Sequence, residues 1–271
     1  MTNTIKPIEV FAQGKTSDNS YSEDIHIITP TVAAVIDGSI GPDYRETDII
    51  QACIKQAAEI IGNIGASDKP TTLYRTLAER VRAIKSEHGV TECRYTGGFH
   101  SVIYSAHHHQ IWRVGDCVYR HGGKTYANDL EVEAISSRQR AVMIHAMILR
   151  GMSTQEIMES DDYAQCFMPF FKPLLDFANR DDHPYGYGVI SGLPVPDAFI
   201  KVHSLPKTTN ELILASDGFP IVCDSLSETQ ATLEKILDRD PLCINENITS
   251  KGMMPGQVSY DDRTYLKFSI E

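Results

Sequence analysis

Two β-branched runs, IHIIT at 25–29 and TVAAVI at 31–36, are separated by Pro30 and predict consecutive strands or a hairpin, the second running into Asp37-Gly38. The segment TDIIQACIKQAAEIIGNI then carries apolar residues at 49, 50, 53, 54, 57, 58, 60, 61 and 64, which is helical spacing, with Gly62 and Gly65 near its end. A second helix is expected over roughly Thr71–Ser86, with Leu73, Leu77, Val81 and Ile84 as its buried stripe. FHSVIYSA and IWRVGDCVYRHGG flank His107, His108, His109 and Gln110, predicting a hairpin and then a further strand. Helix returns over Glu131–Arg150. From Ser153 to Asn179 helical stretches are broken at Pro169 and Pro173, as in a helical insertion or flap around 151–185. Strand character resumes in YGYGVISG, AFIKVHSL and ELILASDG, helix in SETQATLEKILDRD, and RTYLKFSI closes the chain as a strand. Strands in two groups, each interrupted by a pair of helices, predict α+β layers and exclude a doubly wound parallel sheet. No linker or fixed-period repeat divides residues 1–271, so the chain reads as one domain.

Charge and cysteine usage narrow the function. The 36 acidic side chains against 25 basic ones give a formal charge of -11, which repels nucleic-acid phosphate and anionic lipid, so neither nucleic acid nor membrane is expected as a partner. The six cysteines are scattered with no CxxC pair, as in a reduced, cytoplasmic protein. No signal-peptide core opens the sequence, and no run of about 18 apolar residues occurs.

The chemistry is carried by carboxylates at strand ends. AAVI leads into Asp37-Gly38 and LILAS leads into Asp217-Gly218, and in each a glycine lets the backbone turn sharply beside an acid. Asp261-Asp262 precedes the final strand and Glu23-Asp24 precedes the strand at 25–29. Oxygen ligands without a matching His/Cys set suit Mg²⁺ or Mn²⁺ rather than zinc. His107–His109 read as a polar turn, because successive strand side chains alternate faces and cannot all meet one ion. Cys117, next to Asp116 with no activating base near it in sequence, reads as a buried thiol.

The order of these motifs resembles the protein phosphatase type 2C (PPM) family over nearly the whole chain: Glu23-Asp24, AAVIDG with Asp37 and Gly38, VGDCVYRHGG with Gly115 and Asp116, LILASDG with Asp217, and YDDRTYLKFSI with Asp261. The resemblance implies a central antiparallel β-sandwich flanked by helices on both sides, in α-β-β-α layers. It implies two Mn²⁺ or Mg²⁺ ions, Asp37 bridging both, the Gly38 carbonyl on one, Asp217 and Asp261 on the other, and Asp24 or Glu23 acting through coordinated waters. The activity implied is hydrolysis of phosphoserine or phosphothreonine in a signalling protein by metal-activated water, with a kinase as functional partner.

Departures from the family pattern thin the substrate shell. Asn19 stands where an arginine commonly grips the phosphate, leaving Lys15 as the nearby cation, and Lys lacks the bidentate fork of Arg. Ser39 replaces a histidine after the first Asp-Gly, Cys117-Val118 follow Asp116, and Asp262 replaces an asparagine. Ile221 stands where a third-ion acid would be, leaving only Asp129 as an extra ligand. The alternative expectation is a non-catalytic PPM-fold regulatory or binding module, favoured by Asn19 and Ser39. Retention of Asp37, Gly38, Asp217 and Asp261 favours the enzyme, since a like-charge cluster without metal is a cost.

Overall fold

The computed structural model describes residues 3–19, 22–39, 47–128, 130–160 and 172–271. Its centre is two five-stranded antiparallel sheets packed face to face. One has the order β2 (Ile25–Ile28), β3 (Val32–Ser39), β4 (Gly98–Ser105), β5 (Gln110–Val114), β8 (Lys201–Ser204). The other has the order β1 (Ile5–Gln13), β10 (Arg263–Ile270), β9 (Glu211–Ala215), β6 (Val118–His121), β7 (Lys124–Tyr126).

The near-continuous apolar strands follow from both faces being covered. In β3, Ala33 and Val35 point between the sheets, where they meet Val102, Tyr104, Leu212, Leu214, Leu266 and Phe268. The alternate residues Val32, Ala34 and Ile36 point out onto α1 (Thr47–Gly62) and α2 (Pro70–Glu87). Helix α1 supplies Ile50, Cys53, Ile54, Ala57 and Ile61, one helical face, and α2 supplies Leu73, Leu77, Val81 and Ile84. On the opposite flank, Ile213 and Ala215 of β9 pack against Leu233 of α5 (Leu226–Arg239). The layers are therefore α-β-β-α, as the motif order implied.

Helix α3 (Glu131–Leu149) and the short α4 (Thr154–Glu159) pack together through Ala141, Ile144 and Ile157, with Leu242 and Ile244 completing the cluster. A capping box starts α4: Ser153 Oγ accepts the Glu156 N–H, and Glu156 Oε2 accepts the Ser153 N–H. Of the expected insertion, residues 161–171, Pro169 among them, lie outside the described residues, and a 3-10 turn follows at Lys172–Phe177.

Two expectations need correcting. Residues 185–192 (YGYGVISG) form no strand and make only isolated bridges, Tyr187 to Ala178 and Ile190 to Phe99. Gly186 is the reason: a Cβ there would stand 1.7 Å from the Arg180 carbonyl oxygen, so this segment is folded against itself. Buried Lys85 of α2 helps to hold it, donating to the Ser191 carbonyl at 2.9 Å, to Thr96 Oγ1 at 2.6 Å and to the Gly97 carbonyl. AFIKVHSL is strand only at Lys201–Ser204, because Asp197–Phe199 form a 3-10 turn. The N-terminal segment, in turn, is a full edge strand of nine residues, β1, paired to β10 with a bulge between Pro7 and Glu9.

Candidate metal centre

At one end of the sandwich, the C-terminal ends of β3 and β9 meet the starts of β6 and β10, and the side chains there are mostly acidic. Asp37 shares the inward face of Ala33 and Val35, so the alternation that builds the core also aims its carboxylate between the sheets. Asp217 follows β9, and its N–H points at Asp37 Oδ2, 3.4 Å away. The Asp217 carbonyl accepts from the Tyr260 hydroxyl at 2.9 Å. Gly38 admits the Glu23 backbone, since a Cβ at Gly38 would lie 2.4 Å from the Glu23 carbonyl oxygen. At Gly218, a Cβ would lie 1.9 Å from the Asp262 carbonyl oxygen. These glycines let four chain segments converge.

Burial dominates the electrostatics. It holds Asp37 well above the usual carboxylate range, and the charges of Asp217, Asp24 and Asp116 add to the effect. Asp217 is raised in the same way, by burial and then by Asp261 and Asp116. Burial pushes Asp24 up to about 7; the Ser216 and Thr264 hydroxyls ease that shift by proximity without reaching bonding geometry, and neither buried Asp24 oxygen has a hydrogen-bond partner. Asp37, Asp116 and Cys117 each offer a ligand atom within 4.8 Å of the others. Crowded carboxylates, with the Asp24 oxygens left unpartnered, fit a hard divalent cation, which would relieve their repulsion.

Asp261 and Asp262 divide the work differently from the expected pattern. Asp262 is a tie: Oδ1 accepts the Lys15 N–H at 2.7 Å and Oδ2 accepts the Glu23 N–H at 2.9 Å, pinning the N-terminal loop to the start of β10. Asp261 is buried, its Oδ1 accepts the Asp262 N–H at 2.9 Å, and its Oδ2 lies 2.5 Å from the Lys251 ammonium. Burial would raise its carboxyl, but Lys251 and Lys15 outweigh that and hold it below the ordinary value. The Lys15 ammonium sits 3.4 Å from Glu23 Oε2 and 3.5 Å from Asp261 Oδ1, and Asn19 Oδ1 accepts the Gly14 N–H at 3.0 Å. Asp129 lies outside the described residues.

Three contributors escaped sequence reasoning, His100, Glu133 and Lys251, as did the pairing of Asp116 with His100. His100 stands opposite Asp37 in the β3–β4 register, and its Nδ1 is 2.6 Å from Asp116 Oδ1 while its buried Nε2 has no partner. Burial lowers the affinity of His100 for a proton, but Asp116 outweighs it and the net shift is upward. The imidazole fits because Gly115 (φ 89°) has no side chain; a Cβ there would lie 2.1 Å from His100 Cγ. Only the strand register could have revealed this pair.

No protein-family model and no curated protein matches this sequence. Solved structures do match its shape. The catalytic domain of the serine/threonine protein phosphatase PstP in complex with two manganese ions is similar over 99% of both chains, with a TM-score of 0.50 and 11% identity. The Staphylococcus aureus serine/threonine phosphatase Stp1 is similar over 98% of this chain and 96% of its own, with a TM-score of 0.47 and 12% identity. RsbX in complex with magnesium is similar over 98% of this chain and 100% of its own, with a TM-score of 0.47 and 12% identity. With its two antiparallel sheets between helical layers, the chain has the PPM-type phosphatase fold.

Proposed function

We propose that the protein is a divalent-metal-dependent phosphatase acting on phosphoserine or phosphothreonine in proteins. The observation that carries this reading is the crowding of carboxylates around Asp37 at one end of the sandwich, with both Asp24 oxygens buried and unpartnered. A fold needs no such cluster for stability, because like charges brought together cost energy unless a cation joins them. Mn²⁺ or Mg²⁺ held at Asp37 with Asp24 and Asp217 would supply a water activated for attack on phosphorus and would polarise the phosphoryl oxygen.

The chain's own residues do the rest. Lys15, its side chain about one quarter exposed, offers a cation for the substrate phosphate beside Asp261 and Asp262, with Asn19 in the same loop. His100, held by Asp116 and set opposite Asp37, is a proton carrier oriented toward the centre. The backbone at Lys15 and at Glu23 is fastened to the start of β10 by Asp262.

A second reading, a metal-binding regulatory module without turnover, is favoured by one observation: the carboxylate of Asp261 is already engaged by two lysines. Hydrolysis of an aryl phosphate and of a phosphothreonine peptide, each with EDTA and with Mn²⁺, separates the two readings. The phosphatase turns over both only with metal and loses that activity in Asp37→Asn. Full activity in EDTA overturns the metal-dependent reading, and Mn²⁺ binding without turnover selects the module.

A further inference from the structure

The resemblance implies two ions, one of them between Asp217 and Asp261. We propose that Lys251 replaces that ion, so that the chain binds a single divalent cation at Asp37 and carries its second positive charge covalently. This rests on the metal-dependent reading of the same site.

Lys251 is delivered to the cluster by a built loop. Buried Arg140 of α3 donates to three carbonyls of the segment after α5, Leu242 at 2.8 Å, Cys243 at 3.2 Å and Thr249 at 3.1 Å. Thr249 Oγ1 donates to the Lys251 carbonyl at 2.6 Å, and Ser250 Oγ donates to Glu133 Oε1 of α3 at 3.1 Å. Gly252 closes the other side, since a Cβ there would meet Arg140 Nη2 at 2.6 Å and the Leu242 carbonyl oxygen at 2.7 Å. The backbone at 251 is therefore fixed from both sides, and the side chain reaches Asp261 Oδ2 at 2.5 Å.

With Lys251 on Oδ2, and Lys15 and the Asp262 N–H on Oδ1, both oxygens of Asp261 are satisfied. The contrast with Asp24, whose two oxygens have no partner, divides the cluster into a lysine-neutralised half and a half left for metal. A divalent ion on Asp261 would stand within a few ångströms of the ammonium, and like charges that close in a half-buried site exclude one another. Lysine is suited to the place because its ammonium is a compact point charge on a flexible stem.

The number of Mn²⁺ ions bound per chain, counted by electron paramagnetic resonance of free Mn²⁺ during titration, tests this. Wild type is expected to bind one ion, Lys251→Met two, and Lys251→Arg, which keeps the charge, one. Asp261→Asn is expected to keep the single ion and serves if Lys251→Met does not fold. Two ions in wild type, one in folded Lys251→Met, or loss of the ion in Asp261→Asn overturns the replacement and leaves the metal-dependent reading standing. A wild type that binds no Mn²⁺ overturns that reading, and this one with it.

Discussion

Asp24 shows how a single side chain records a cost taken on for function. Its oxygens are buried without partners and its carboxyl is pushed up to about 7 from 3.8, so in the folded protein the proton is held more tightly than in the unfolded chain. A raised folded value means the stabilising contribution is complete below about pH 4 and is lost as pH rises through about 7. His100, also raised, has the same sign, whereas the lowered Asp116 and Asp261 contribute stability that is lost only at more acidic pH. The metal-free protein is therefore expected to lose stability as pH rises from about 5 to 8, Asp24 accounting for about 2 kcal/mol of the loss, and Asp24→Asn to lower the slope while the raised Asp37 and Asp217 keep its sign. Melting curves in EDTA across this range check it; equal slopes in the two proteins would show that Asp24 is not held as an unpartnered carboxylate. The sequence made Asp24, Asp37, Asp217 and Asp261 legible as one group because each sits at a strand boundary. It could not separate Asp261 from Asp262 by role, nor show Lys251, because those assignments depend on which atoms meet across some ten to 250 residues of chain, Lys251 with Asp261 and Lys15 with Asp262.

At the scale of elements, the strands buried on both faces and the helices with a clean stripe were readable, and the edges were not. Strand β3 and helices α1, α2 and α5 stand close to where periodicity put them, since core burial enforces the pattern. Strand β1 was hidden because an edge strand with one paired neighbour tolerates Lys6, Pro7 and Glu9, which erase the alternation. The glycine-rich 185–192 segment misled in the opposite direction, its apolar residues packing as an irregular cover held by Lys85 and close backbone approach. Backbone approach also sets the junction of β9 with the start of β10. Gly218→Ala would force a Cβ into the Asp262 carbonyl, so it is expected to destabilise by about 3 kcal/mol and to weaken Mn²⁺ binding as the Asp217 and Asp262 segments part. Gly62→Ala, at the end of α1 with no neighbour nearer than 3.6 Å, is the control and is expected to be neutral or stabilising by about 0.5 kcal/mol. Denaturant melts of both variants check the contrast, and similar stability in the two would show that the segments at Gly218 can move apart freely.

For the whole molecule, the two sheets and their helical covers form a scaffold stable enough to hold like charges at one end. Asp37 is the centre of that repulsion, raised by burial and by Asp217, Asp24 and Asp116 together. Asp37→Asn removes, with little change of shape, a carboxyl whose ionisation the site opposes, so at a pH where that carboxyl is ionised the metal-free variant is expected to be more stable than wild type by about 1 kcal/mol. For a chain of 271 residues that is a rise of about 2 °C in melting temperature. Metal reverses the ranking. A ligand that binds only the folded state stabilises it by RT ln(1 + [L]/Kd), about 2.7 kcal/mol at a hundredfold excess over Kd, and wild type should gain this on adding Mn²⁺. The variant, lacking the carboxylate about which the others are arranged, should gain much less and should not turn over substrate. Four melting curves, each protein with EDTA and with Mn²⁺, therefore carry opposite signs for charge repulsion and for metal binding. Equal Mn²⁺-induced shifts in the two proteins would show that Asp37 is not a metal ligand, and the proposed hydrolytic mechanism would fall with it.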